Sequence, residues 1–118
     1  MKNIFGWMQL QTNNPQKEKS FYGELFDWQF DTNPMPDDSG YIEVDAGNGP
    51  CAGISKDPHQ NQWIPFVHVK SIKEFTEKAE RLGAKVIVPP TSLGENQGFY
   101  SVFIDPLRAT LGLYEPPQ

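Results

Sequence analysis

The side chains able to do chemistry in this chain are few, and most lie at strand spacing. Imidazole is the side chain suited to proton transfer near neutral pH, which makes His68 the one obvious acid-base candidate. It shares strand parity with Ile64 and Phe66. Glu43 alternates with Tyr41 and Asp45. It is the carboxylate whose pKa would rise if it were buried beside an aromatic ring. Gln9 and Gln11 alternate with Trp7. The two amides offer uncharged donors and acceptors suited to a neutral ligand, and the indole offers a flat surface for stacking. Each has a plainer reading. His68 would end its strand near Lys70 and solvent, Glu43 would lie on a solvated sheet edge, the glutamines would bind water, and the aromatic residues would be ordinary core.

Other chemistries find little support. The single Cys51 cannot form an internal disulfide and reads as a small buried hydrophobe. No Cys-x-x-Cys or His-x-x-x-His spacing offers a structural metal site. His59 falls in a polar loop with Asp57, Pro58, Gln60 and Asn61 and reads as surface. Gly47 and Gly49 are turn glycines with no helix after them, so they do not form a phosphate loop. Ten Lys and Arg against fifteen Asp and Glu give a net charge of −5, and no basic stripe is present to neutralise phosphates. Nucleic acid is therefore excluded as an expected partner. No apolar run approaches the roughly 20 residues that span a bilayer, and the first residues lack a signal-peptide pattern. No membrane partner and a cytoplasmic location are expected.

The elements that must position these residues follow from periodicity. Residues 6–12 alternate, with Met8 and Leu10 on one face and Trp7, Gln9 and Gln11 on the other. Asn14-Pro15 signals a helix start, and Phe21, Tyr22, Leu25 and Phe26 recur at helical spacing over 15–26. Short strands are predicted at 27–30, 41–46 and 51–55, with a loop over 31–40. The same order then begins again: strand 63–69, a helix opened by Ser71 with Glu74, and strands at 85–88, 98–104 and 109–114. Ile72, Phe75, Ala79 and Leu82 form that helix's apolar stripe, Gly83 stops it, and Pro89-Pro90 is expected to break the strand after it. A slide of 57 positions places Asn14 on Ser71, Leu10 on Val67 and Leu25 on Leu82. With 118 residues, one domain over 1–118 is expected, with module 1 at about 4–57 and module 2 at about 62–116. Asp105-Pro106 reads as a turn whose Asp bonds local amides.

Phe21-Tyr22 with Leu25-Phe26 and Trp28, Trp63-x-x-Phe66 leading into a helix that ends Leu82-Gly83-Ala84, and Asp105-Pro106 together resemble the vicinal oxygen chelate superfamily. That superfamily includes glyoxalase I, extradiol dioxygenases and bleomycin-resistance proteins. The resemblance covers nearly the whole chain. It implies an α+β fold of two paired β-α-β-β-β modules in a cupped eight-stranded mixed sheet, helices outside, and often a homodimer.

In metal-dependent members the ligands come from the first strand and the last strand of each module. The resemblance places these positions at Trp7, Gly53, Ile64 and Gly112. None of the four supplies an imidazole, carboxylate or thiolate, so no metal and no cofactor are expected. The leading expectation is a metal-independent protein that binds a small, partly apolar or aromatic molecule in the sheet cavity. Its expected ligand-binding residues are Trp7, Gln9, Gln11, Tyr41, Glu43, Gly53, Ile64, Phe66, His68, Gly112 and Tyr114. Two alternatives stand beside it. One is a lyase, isomerase or dioxygenase with displaced ligands such as His68 or Glu43, and the other is a non-catalytic dimeric scaffold.

Overall fold

A computed structural model describes residues 2–32 and 40–118. Most of the loop expected over 31–40 therefore lies outside the described residues. The elements are β1 (Phe5–Thr12), α1 (Pro15–Leu25), β2 (Gln29–Asp31), β3 (Ile42–Asp45), β4 (Pro50–Lys56), β5 (Gln62–His68), α2 (Ile72–Arg81), β6 (Lys85–Ser92), β7 (Phe99–Ile104) and β8 (Thr110–Glu115). The fold is α+β, with an eight-stranded mixed sheet in the order β2-β3-β4-β1-β5-β8-β7-β6. The chain divides into two compact units, residues 7–64 and residues 1–6 with 65–118.

In the unit of residues 7–64, β1 runs parallel to β4 and β3 runs antiparallel to both β2 and β4. Leu10, Ile42, Val44, Ala52 and Ile54 form its core, closed by Tyr22, Trp28, Phe30 and Trp63. Asn14 caps α1 by accepting from the Lys17 amide at 3.1 Å, with Pro15 in the first turn as its fixed φ favours. The helix nevertheless buries none of its residues. Tyr22 carries the apolar stripe inward, its ring stacked on Trp28 at 5.5 Å and its hydroxyl accepting from the Trp63 indole, while the Phe26 ring stacks on Trp28 at 4.8 Å. Phe21, Leu25 and Phe26 stay exposed, as does Met8 on the apolar face of β1. Cys51 is also exposed. The register of β3 on β4 jumps there: Val44 pairs with Ala52, but Asp45 pairs with Pro50, so Cys51 is the extra residue of a bulge.

In the other unit, β5 runs parallel to β8, and β7 is antiparallel to both β8 and β6. The helix α2 packs over β6, β7 and β8. Ser71 accepts from the Glu74 amide, and the Glu115 carboxylate accepts from the Ile72 amide at 2.8 Å, so an anion sits at the positive end of the helix. At the far end Gly83 adopts φ +104°, while its amide and that of Ala84 donate back to Glu80 and Ala79. This is the left-handed stop that glycine allows. The buried face of α2 holds Ile72 and Thr76 rather than reaching Leu82, which is 70% exposed. The Thr76 hydroxyl pairs with that of buried Ser101 in β7 at 2.9 Å.

The expected break at Pro89-Pro90 does not occur, because β6 continues to Ser92. It is the last strand of the sheet, so its outer amides need no partner. Its register also shifts between Val88 and Thr91, which leaves both prolines outside the paired positions.

The two units share a local device. The Oδ1 of Asp45 accepts from the amides of Gly47 and Gly49, and the Oδ1 of Asp105 accepts from those of Leu107 and Ala109. Both carboxylates thus close a strand-ending turn through amides two and four residues on. The expected role of Asp105 is the one observed.

Candidate functional site

Alternation along β1 sets Trp7, Gln9 and Gln11 on the sheet face opposite Leu10. In the parallel pair β1/β4, Gln9 lies beside Gly53, and in the antiparallel pair β3/β4, Glu43 lies beside the same glycine. The absence of a side chain at Gly53 matters here. A β-carbon added there would lie 2.8 Å from Tyr41 Cε1 and closer still to Cζ and Oη. The Tyr41 phenol occupies the space that a side chain at position 53 would need.

The phenol is held from several sides. Tyr41 Oη donates to Gln9 Oε1 at 3.0 Å, and Trp7 Nε1 donates to the same oxygen at 2.9 Å. Gln9 Nε2 in turn donates to Ser55 Oγ at 3.0 Å. Gln9 is only 9% exposed, so these bonds replace water at an almost fully buried amide. Burial pushes the Tyr41 pKa up to about 12, against the opposing influence of its polar contacts with Trp7 and Gln9, and the nearby Glu43 charge adds to the rise. Tyr41 therefore keeps its proton throughout the physiological range and acts as a neutral hydrogen-bonding group. Further along, Gln60 Nε2 bridges Gln11 Oε1 and the Asp57 carboxylate, and Asn61 accepts from Thr12.

The second unit repeats the arrangement with different chemistry. Phe66 pairs with Gly112 across β5/β8. A β-carbon at Gly112 would lie 2.6 Å from Phe66 Cζ and closer to Cδ2 and Cε2, so here the seat holds a benzyl ring. Tyr100 tilts against that ring at 6.2 Å. His68 lies on a third glycine, Gly6, where any β-carbon would collide with the imidazole. Its ring is tilted 57° to that of Tyr114 at 5.3 Å, and the Tyr114 hydroxyl donates to the Gln97 carbonyl. Partial burial raises the Tyr114 pKa.

Within residues 7–64 the structure thus brings together Trp7, Gln9, Tyr41 and Gly53, with Glu43 beside them and Gln11 further along β1. Ile64 is 2% exposed. Within the other unit it brings together Phe66 with Gly112, and His68 with Tyr114. Sequence reasoning missed Ser55, Tyr100 and Gly6. Two of them left a signal: Ser55 has the parity of Gly53, and Tyr100 stands 59 positions after Tyr41 just as Gly112 stands 59 after Gly53.

The divalent metal implied by the resemblance does not fit these residues. Trp7, Gly53, Ile64 and Gly112 provide no donor, and a longer side chain at either glycine would have to displace Tyr41 or Phe66. Among the described residues, no group of three or more His, Cys, Asp or Glu converges.

No family model matches the sequence. Solved structures share the fold of this chain, and a glyoxalase and a 2,3-dioxygenase are among them. The Mn(II)-bound glyoxalase from Novosphingobium aromaticivorans matches with a TM-score of 0.65 and 13% identity, over 97% of this chain and 40% of that one. Homoprotocatechuate 2,3-dioxygenase from Brevibacterium fuscum matches with a TM-score of 0.67 and 12% identity, over 99% of this chain and 38% of that one. Among curated proteins, the chain is similar to "Putative glyoxylase CFP32" of Mycobacterium bovis and Mycobacterium tuberculosis, 29% identical over 116 residues and 92% of this chain. It spans 44% of the length of those relatives.

Proposed function

We propose that this chain is a glyoxalase-like protein that binds a small, partly aromatic or apolar molecule against its sheet without the divalent metal that the resemblance implies. The observation that carries this reading is the filling of the glycine seats: Tyr41 stands over Gly53 and Phe66 over Gly112, where the resemblance would place metal-ligating carboxylates. Each substitution exchanges a charge for an aromatic or hydrogen-bonding surface, which suits an organic ligand better than a hard cation.

Elemental analysis of exhaustively dialysed protein tests the metal half of the reading, and the expected content of Zn, Ni, Mn and Fe is far below one atom per chain. One tightly held metal per chain would sink it. A thermal-shift screen of small aromatic metabolites tests the binding half, since a ligand at 100 times its dissociation constant adds about 2.7 kcal/mol of apparent stability. No hit across such a library would favour the scaffold.

We further infer that a second copy of this chain covers the exposed Phe21 and Leu25 of α1 and Phe26 just after it. The curated relatives are more than twice as long as the matched region, which leaves room for a second unit of this size in one polypeptide. Sedimentation should show a dimer, and Phe21→Asp with Leu25→Asp should shift it to monomer without loss of the folded circular-dichroism signal. A wild-type monomer at all concentrations would refute this pairing. The exposed, unpaired thiol of Cys51 suits a reducing compartment, and on that ground we assign the protein to the cytoplasm.

A further inference from the structure

The hydrogen bonds around Gln9 have a fixed polarity, and that polarity selects a ligand. An indole N–H can only donate, so the Gln9 atom facing Trp7 Nε1 at 2.9 Å is the amide oxygen. The Tyr41 hydroxyl faces the same oxygen at 3.0 Å and, with a pKa near 12, it also donates. Two donors therefore fill both lone pairs of Oε1. The amide nitrogen is left facing Ser55 Oγ at 3.0 Å, where it donates.

Ser55 accepts that bond, which turns its own hydroxyl proton away from Gln9. Gln9 Nε2 carries a second N–H as well. Among the described residues, no acceptor for either hydrogen is recorded. The network thus leaves two donor hydrogens, one on Gln9 and one on the half-buried Ser55, for a ligand to meet, and it carries no cation. Glu43, beside Gly53 in register, adds a negative charge that the Tyr41 phenol senses. An anionic ligand meets this charge unfavourably, whereas an uncharged oxygen acceptor does not. The half-buried Trp7 supplies a flat apolar surface next to the donors.

We propose that the Gln9–Ser55 edge recognises an uncharged oxygen acceptor, a carbonyl or carboxamide, on an aromatic or apolar ligand. This rests on the small-molecule reading above and narrows it to a chemical class. Benzamide and benzoate form a shape-matched pair that differs in charge, so they serve as probes. In titrations of isotope-labelled protein followed by NMR, benzamide is expected to shift the Gln9 side-chain amide and the Ser55 backbone amide, with benzoate binding at least about tenfold more weakly. Ser55→Ala, which leaves the Tyr41–Gln9 bond in place, is expected to weaken benzamide several-fold. Gln9→Leu is expected to abolish the preference for benzamide.

Three outcomes overturn the proposal. Benzoate binding as tightly as benzamide, with the same resonances shifted, removes the selectivity for a neutral acceptor while leaving the small-molecule reading intact. Benzamide affinity unchanged in Ser55→Ala removes the proposed contact. If neither probe shifts a resonance on this face, the assignment of the edge fails, whereas the metal analysis judges the metal-free reading independently.

Discussion

Gly112→Ala is expected to cost about 2 to 3 kcal/mol of stability, more than an ordinary strand substitution, because the added methyl enters the volume of the Phe66 ring. Phe66 is only 6% exposed and cannot swing into solvent to make room. The measurement is the urea midpoint at constant m-value, with Phe66→Ala and the double variant completing a cycle. Phe66→Ala alone should lose about 3 to 5 kcal/mol through the cavity it leaves. The double variant should lose less than the sum by about 1 to 2 kcal/mol, since the new methyl no longer meets a ring and fills part of the cavity. Additive losses would show that the ring does not rest on the glycine. Gly53→Ala should be milder, about 1 kcal/mol, because Tyr41 is half-buried where Phe66 is buried and its phenol yields more readily.

The same geometry explains why the metal question is not settled by four residue identities alone. A carboxylate installed at Gly53 would have to expel the phenol and break its bond to Gln9, and one at Gly112 would have to expel a buried benzyl ring. Each cost falls on the folded protein before a cation is bound. Ligand loss and aromatic filling are thus one coupled change in each unit, and a single substitution does not reverse it.

Where the sequence was readable, the controlling interactions were local. The limits of α2 follow from Ser71, from Gly83 and from contacts within one helical turn, and the structure places them within a residue of expectation. The alternation 7, 9, 11 against 10 gave the correct faces of β1 for the same reason. Failures came where a distant partner decides. Phe21, Leu25 and Leu82 have the spacing of buried residues, yet burial depends on what the rest of the chain brings against them, and all three are exposed. Pro89-Pro90 ends a strand by local rules, but an edge strand with a register shift tolerates both residues. Cys51 is apolar and sits between strand residues, yet a bulge, which depends on the pairing strand, turns it out. In the candidate site, parity identified which residues share a face. It could not show that Tyr41 covers Gly53 or Phe66 covers Gly112, because a glycine inside a strand reports a close approach without naming what approaches.

Alkaline pH should expose the Tyr41 network directly. Its pKa stands near 12 in the folded chain against 10.0 for the free side chain, mainly because burial disfavours the phenolate. The folded state therefore binds this proton more tightly than the unfolded state. Its stabilising contribution is complete below pH 10, declines as the unfolded chain ionises first, and is lost by the time pH passes the folded value near 12. A shift of this size corresponds to about 2 to 3 kcal/mol. Urea midpoints measured from neutral pH upward should fall by that amount across the window in wild type. Tyr41→Phe should be less stable at neutral pH, because it removes one of the two donors to Gln9 Oε1, and its profile should be flatter above pH 10. Tyrosinate absorbance gives an independent reading: one fewer tyrosine should titrate late in the variant. An unchanged slope of stability against pH in Tyr41→Phe would show that the phenol is not held in the neutral, donating form on which the recognition of an uncharged ligand depends.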